Sequence, residues 1–227
     1  MKTKVIFGPP GTGKTTRLMD IMEQLMKNGM APNRIAFVSF TKKAVTEATD
    51  RACEKFGLMP TDLPYFRTLH SLTYKELGVT QNKVMQRRHY IDLGNILGLE
   101  FSGYFNAEEG IPSGNKEGDE LLFMDGLARA MQKTLEEILQ LLNAEYDVFK
   151  MKHFSETVKQ YKKDNGLMDF TDMLEEFIAH CEPLQGIDTV IIDEAQDLST
   201  LQWAVARKAF GRCKQAFIAG DDDQCIY

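Results

Sequence analysis

The chain is 227 residues long, 43% hydrophobic and 26% charged, which suits one substantial core with a smaller inserted domain and excludes global disorder. Its formal net charge of -6 excludes holding nucleic acid by bulk positive charge, so any such binding would rest on local basic groups and stacking. Four scattered cysteines, Cys53, Cys181, Cys213 and Cys225, show neither zinc-ligand spacing nor a disulfide framework, and a reducing, intracellular (cytoplasmic) setting is expected.

In chain order, "KVIFG" is a short apolar run ending at a Gly/Pro turn and predicts a buried strand. It is too short for a signal-peptide core or a membrane span, so neither export nor membrane insertion is expected. From Lys14, apolar Leu18, Ile21, Met22, Leu25 and Met26 recur at three and four residues. That is the stripe of a core-facing helix, which "NGMAP" closes. "RIAFVSF" predicts a second buried strand, and "KKAVTEATDRACEKF" a second helix. Later, "DTVIID" and "QAFIAGD" predict strands on either side of a helical "STLQWAVARKAF". This alternation belongs to an α/β fold with a parallel sheet, where ligands gather at the carboxyl ends of the strands.

The middle of the chain lacks strand runs. It carries the loop "SGYFNAEEGIPSGNKEGDE" and helical patterns in "LARAMQKTLEEILQLLN" and "YDVFKMKHFSETVKQYKK". The expected organisation is an α/β core from residues 1–80 and 164–227, with a helical inserted subdomain at 81–163. Lys150, Lys152, Lys159, Lys162 and Lys163 surround an apolar stripe there. A solvated face is the expected reading, and contact with a duplex backbone the alternative.

"GPPGTGKTT" matches the phosphate-loop pattern at Gly8, Gly13, Lys14 and Thr15, between a strand and a helix as that pattern requires. Gly8, Pro9, Pro10, Gly11, Thr12, Gly13, Lys14, Thr15 and Thr16 are therefore the candidate cradle for the phosphates of a nucleotide. Lys14 would reach the outer phosphates, and the Thr15 hydroxyl would ligate Mg2+. A structural glycine turn with an exposed lysine is the plain alternative. "VIIDEAQD" ends a strand on Asp193, a candidate for the magnesium shell, followed by Glu194, a candidate to orient and deprotonate an attacking water. Alone, such an acid pair is as readily a helix cap; beside a phosphate loop it reads as hydrolytic. In "GDDDQCIY", Gln224 follows the last strand, where an amide could sense the terminal phosphate or hold the water. Lys14, Glu194 and Gln224 are the candidate catalytic residues.

"GPPGTGKT", "FVSFTKKAVTEATDRA", "RTLHS", "LMDFTDML", "VIIDEAQDLSTLQ" and "GDDDQCIY" occur in the order found in superfamily 1 helicases. The chain resembles the N-terminal motor domain of the UvrD/PcrA/Rep-like group. The resemblance implies a RecA-like P-loop NTPase core, ATP with Mg2+, and a monomer that moves 3′ to 5′ on single-stranded DNA and unwinds duplex. By resemblance, Gln224 couples the nucleotide to the strand. Phe40, Thr41, Thr68 and His70 line the single-stranded DNA track, and Tyr227 stacks or packs beside it. Aromatic faces and small donors suit that task. Each also has a bland reading: Phe40 as strand-end core, His70 as a satisfied helix-start histidine, and Asp169, Thr171 and Asp172 as helix starters.

Two departures from the family are expected to matter. Only Met1 to Lys4 precede the first strand, leaving no room for an upstream glutamine motif that reads adenine. Nothing follows Tyr227, where relatives place a second motor domain whose arginines stabilise the transferring phosphoryl, an effect of ~10³–10⁵ in rate. The expectation is a chain cut at an interdomain edge, with the C-terminal motor domain as its missing partner and no unwinding by itself. Two other functions remain open: a nucleotide-responsive DNA-binding module, and a P-loop kinase.

Overall fold

Short apolar runs build a single parallel sheet from β1 (Lys2–Phe7), β2 (Ile35–Val38), β3 (Phe66–Arg67), β4 (Thr189–Ile192) and β5 (Gln215–Gly220), in the spatial order β1-β5-β4-β2-β3. The computed structural model describes residues 1–9, 11–104 and 114–221. Parallel neighbours require crossover connections, and helices supply them. These are α1 (Lys14–Lys27), α2 (Lys42–Phe56), α3 (Leu69–Glu76), α4 (Arg87–Leu97), α5 (Glu117–Met131), α6 (Leu135–Leu141), α7 (Val148–Asn165), α8 (Phe170–His180) and α9 (Thr200–Phe210). The result is the RecA-like α/β arrangement. No described helix is long and apolar enough to cross a membrane.

The chain divides into two units, Met1–Lys75 with Phe177–Tyr227, and Glu76–Glu176. In the first, every residue of β2 and β4 is buried, as continuous apolar runs in a parallel sheet require. Ile35, Phe37, Ile191, Phe217 and Ala219 share a core with Leu18, Met19 and Met22 of α1 and Ala48 and Ala52 of α2. Full burial of side chains such as Phe37 and Leu18 contributes about 1.5–3 kcal/mol each. The "KVIFG" run corrects its expectation. As β1 it is an edge strand among the described residues, paired only to β5, with Val5 49% and Phe7 67% exposed. Apolar composition alone does not distinguish an edge position from a central one.

The helical unit has its own core, built on Leu93 of α4, Leu121 and Met124 of α5, Ile138 of α6, and Met151 and Phe154 of α7. The helical pattern of "LARAMQKTLEEILQLLN" is divided between α5 and α6. Gln132 adopts a left-handed φ of 54°, and Thr134 caps α6, its side chain accepting from the Glu137 N–H while Glu137 reaches back to the Thr134 N–H. The boundary drawn at 163 falls inside α7, and this unit extends to Glu176.

The lysine face of α7 is largely engaged within the unit. Lys150 pairs with Glu117, Lys152 pairs with Glu136, and Lys162, expected on a solvated face, is 6% exposed. Lys162 meets Asp169 and Asp172, which also receive Arg129 at 3.0 and 2.5 Å. Arg129 forks onto Glu175 as well. Asp169 and Asp172 each accept the other's backbone N–H at 2.7 Å, so "MDFTDM" starts a helix and anchors a half-buried ion cluster at once. Burial opposes ionisation of Asp169, but Arg129 and Lys162 outweigh it and hold that carboxyl below its ordinary range.

Asp188 ties the amino ends of three strands. Its carboxylate accepts from Arg34 Nε at 2.5 Å and Lys214 Nζ at 3.0 Å, and its backbone bonds Arg34 and Lys214. The Arg34 hydrogen bond, then that of Lys214, lowers its pKa to about 2, against about 3.9 in an unfolded chain. A depressed carboxylate contributes stability that is present above the unfolded value and lost as pH falls toward the folded one. Urea unfolding across pH 4.5 to 2 is therefore expected to show wild type losing stability more steeply than Asp188→Asn; equal slopes would contradict this account of the strand tie.

Candidate nucleotide site

Everything in this site lies at the carboxyl ends of the strands. β1 runs into the glycine-rich loop, and α1 begins at Lys14. Gly11 and Gly13 hold φ of 79° and 82°, left-handed values that a side chain would strain, and Gly13 caps α1. A Cβ on Gly8 would lie 2.7 Å from the Thr12 hydroxyl, which itself donates to the Pro9 carbonyl at 2.7 Å. The loop is thereby a bare backbone turn facing a helix start, the form that accepts anions.

Lys14 is 8% exposed, and its ammonium donates to the carbonyls of Gly8 at 2.5 Å and Pro9 at 3.3 Å. Thr15, in the first turn of α1, donates its hydroxyl to Asp193 Oδ2 at 2.8 Å. Asp193 follows β4 and is 2% exposed, while β5 lies between β1 and β4. The loop and helix start therefore pass across the end of β5 to reach the acid. Burial raises the Asp193 pKa, the Thr15 hydrogen bond opposes that rise, and Glu194 adds to it.

Glu194 takes a left-handed backbone, φ 49° and ψ 48°, uncommon for a residue with a side chain and a local strain that turns the chain off the strand. Its carboxylate accepts from the Gln196 amide at 2.8 Å, and the Gln196 carbonyl accepts the Asp221 N–H at 3.0 Å. Gln196 thus links the acid pair to the end of β5. Sequence reading missed it, because an amide in a turn carries no periodic signal. A Cβ on the adjacent Gly220 would come within 3.1 Å of the Gln196 carbonyl oxygen.

The next strands continue the same edge. The Asp193 N–H donates to the Val38 carbonyl at 2.9 Å, which makes Ser39 the cross-strand neighbour of Asp193. Phe40 and Thr41 follow, both half-buried, and Thr41 caps α2 by accepting the Ala44 N–H at 3.1 Å. Thr68, after β3, is 3% exposed and accepts the Ser71 N–H at 3.2 Å at the start of α3. His70 sits half-buried in the first turn of α3. Pro9 and Thr16 are exposed. Pro10, Gln224 and Tyr227 lie outside the described residues.

Among the described residues no group of three or more His, Cys, Asp or Glu side chains is placed to hold a metal. The donor set that is present, one hydroxyl and one carboxylate beside a phosphate cradle, matches how Mg2+ is held with phosphates and water supplying the remaining ligands.

The family model for the UvrD/REP helicase N-terminal domain matches residues 1–227. The ATP-dependent DNA helicase srs2 of Schizosaccharomyces pombe is 28% identical over 99% of this chain and 28% of its own length. The Bacillus subtilis protein YjcD is 27% identical over 98% of this chain and 30% of its own length. The ATP-dependent DNA helicase PcrA of Bacillus subtilis is 23% identical over 98% of this chain and 31% of its own length. The chain spans about a third of the length of these relatives.

Gln196→Leu is expected to accelerate hydrogen exchange of the Asp221 amide and to lower stability by about 2 kcal/mol, since one of the two lost hydrogen bonds ends on a carboxylate. Unchanged exchange at Asp221 would show that Gln196 does not hold the β5 end.

Proposed function

The chain belongs to the UvrD/REP helicase N-terminal domain family, and we propose that it supplies the ATP-binding half of a motor that moves on single-stranded DNA. The observation that carries this reading is the Thr15 to Asp193 hydrogen bond, which joins the phosphate loop to the acid pair. In the working site, the loop N–H groups and the start of α1 bind the phosphates. Lys14 exchanges its hold on the Gly8 and Pro9 carbonyls for the outer phosphate oxygens. Thr15 and Asp193 would hold Mg2+, which when bound neutralises charge on the terminal phosphates. Glu194, steadied by Gln196, orients a water in line with the γ-phosphorus and takes its proton.

The strand edge beyond the pocket supports the second half of the reading. Phe40 and His70, both half-buried, follow β2 and β3 in the chain, and in this reading their rings stack on bases. Thr41 and Thr68 cap α2 and α3, fixing two helix starts on that same edge. Gln224 and Tyr227 keep the roles their motif implies, sensing nucleotide and packing beside the strand. Directional 3′ to 5′ movement and duplex unwinding are assigned to the full-length protein, and this 227-residue chain is expected to bind Mg-nucleotide weakly and not to unwind.

The test uses the full-length protein. Lys14→Ala should weaken Mg-ATP binding by about tenfold or more, as expected when a charged hydrogen bond is lost. Glu194→Gln should leave binding in place and reduce hydrolysis about 10²- to 10⁴-fold. Wild-type turnover should rise with single-stranded oligonucleotide. Turnover that rises with small hydroxyl acceptors and ignores the oligonucleotide would replace the motor reading with a kinase.

A further inference from the structure

Ser39 stands at the end of β2, 1% exposed, and its hydroxyl has no hydrogen-bond partner among the described residues. A buried hydroxyl in that state lowers the stability of the protein that carries it. Its position is specific. Asp193 is its direct cross-strand neighbour, so the two side chains leave the sheet on the same face. On the other flank is Thr68, whose hydroxyl is engaged at the start of α3. Among the described residues, the Asp193 carboxylate accepts from Thr15 at one oxygen and from the Glu194 N–H at the other, while a carboxylate offers about four acceptor positions.

We propose that Ser39 is a positioning residue that acts through Asp193: when the site is loaded with Mg-nucleotide, its hydroxyl turns to donate to the Asp193 carboxylate and fixes that carboxylate toward the metal shell. This rests on the nucleotide-site reading given above. The burial of Ser39 excludes direct contact with a polynucleotide but not with an adjacent side chain. With one donor at each oxygen, the Asp193 carboxylate keeps acceptor positions for a cation and for one more donor. A hydroxyl that gains its partner only when nucleotide and metal bind contributes to their affinity.

Binding of a fluorescent ADP analogue, titrated with and without Mg2+, tests this on the chain as it stands. Ser39→Ala should lose about tenfold of the Mg2+-dependent affinity and none of the Mg2+-free affinity. Its nucleotide-free melting temperature should equal or exceed that of wild type, because an orphan polar atom has been removed. In an Asp193→Asn background the same substitution should change nothing further. Wild-type Mg2+-dependent affinity in Ser39→Ala, or an equal loss with and without Mg2+, overturns the proposal. If the alanine variant does not fold, Ser39→Cys, of the same shape with a weaker donor, is read by the same criteria. A wild-type chain whose affinity ignores Mg2+ would instead bring down the nucleotide-site reading, and this proposal with it.

Discussion

A single hydrogen bond, 2.8 Å from the Thr15 hydroxyl to Asp193, spans 178 positions of sequence and decides what the rest of the strand edge can be. It forms because the order β1-β5-β4 leaves β5 between the loop that carries Thr15 and the strand that carries Asp193. The loop must cross the β5 tip, and the small residue there, Gly220, leaves room for Gln196 to bind both the β5 end and Glu194. The candidate phosphate cradle, the candidate metal ligands and the candidate base thus meet through strand order, not through local sequence alone.

The electrostatics fit the same arrangement. Asp193 is buried and biased toward protonation, with Thr15 opposing that bias. Lys14 is held by two loop carbonyls, a neutral and weaker hold than phosphate oxygens would offer. Under the proposed reading, a triphosphate with its divalent cation would offer both groups stronger partners. Glu194 adds backbone strain at the same point, which the surrounding bonds from Gln196 and Asp193 sustain.

Much of this was legible in the residues. β2 and β4 show as continuous apolar runs, and the glycine loop shows as a motif because phosphate binding needs bare backbone. The resemblance to superfamily 1 helicases agrees with the family match across the chain. What stayed hidden depends on contacts far apart in sequence. Arg129 reaches acids at positions 169, 172 and 175, and no periodicity announces such a cluster. Gln196 and Ser39 are ordinary polar residues until strand order sets them beside Glu194 and Asp193. β3 has two residues, too few to form a pattern. The break between α5 and α6 did have a local sign, the Thr134 and Glu137 capping pair, but the apolar stripe on both sides masked it.

The central claim is that Thr15 and Asp193 serve one metal-nucleotide site jointly. A double-mutant cycle of Thr15→Val and Asp193→Asn on Mg-nucleotide affinity tests it most directly. The account predicts strong non-additivity, with a coupling of about 1 kcal/mol or more between the two substitutions. Losses that simply add, or affinity indifferent to either change, would mean that the two residues meet in the fold without sharing a ligand.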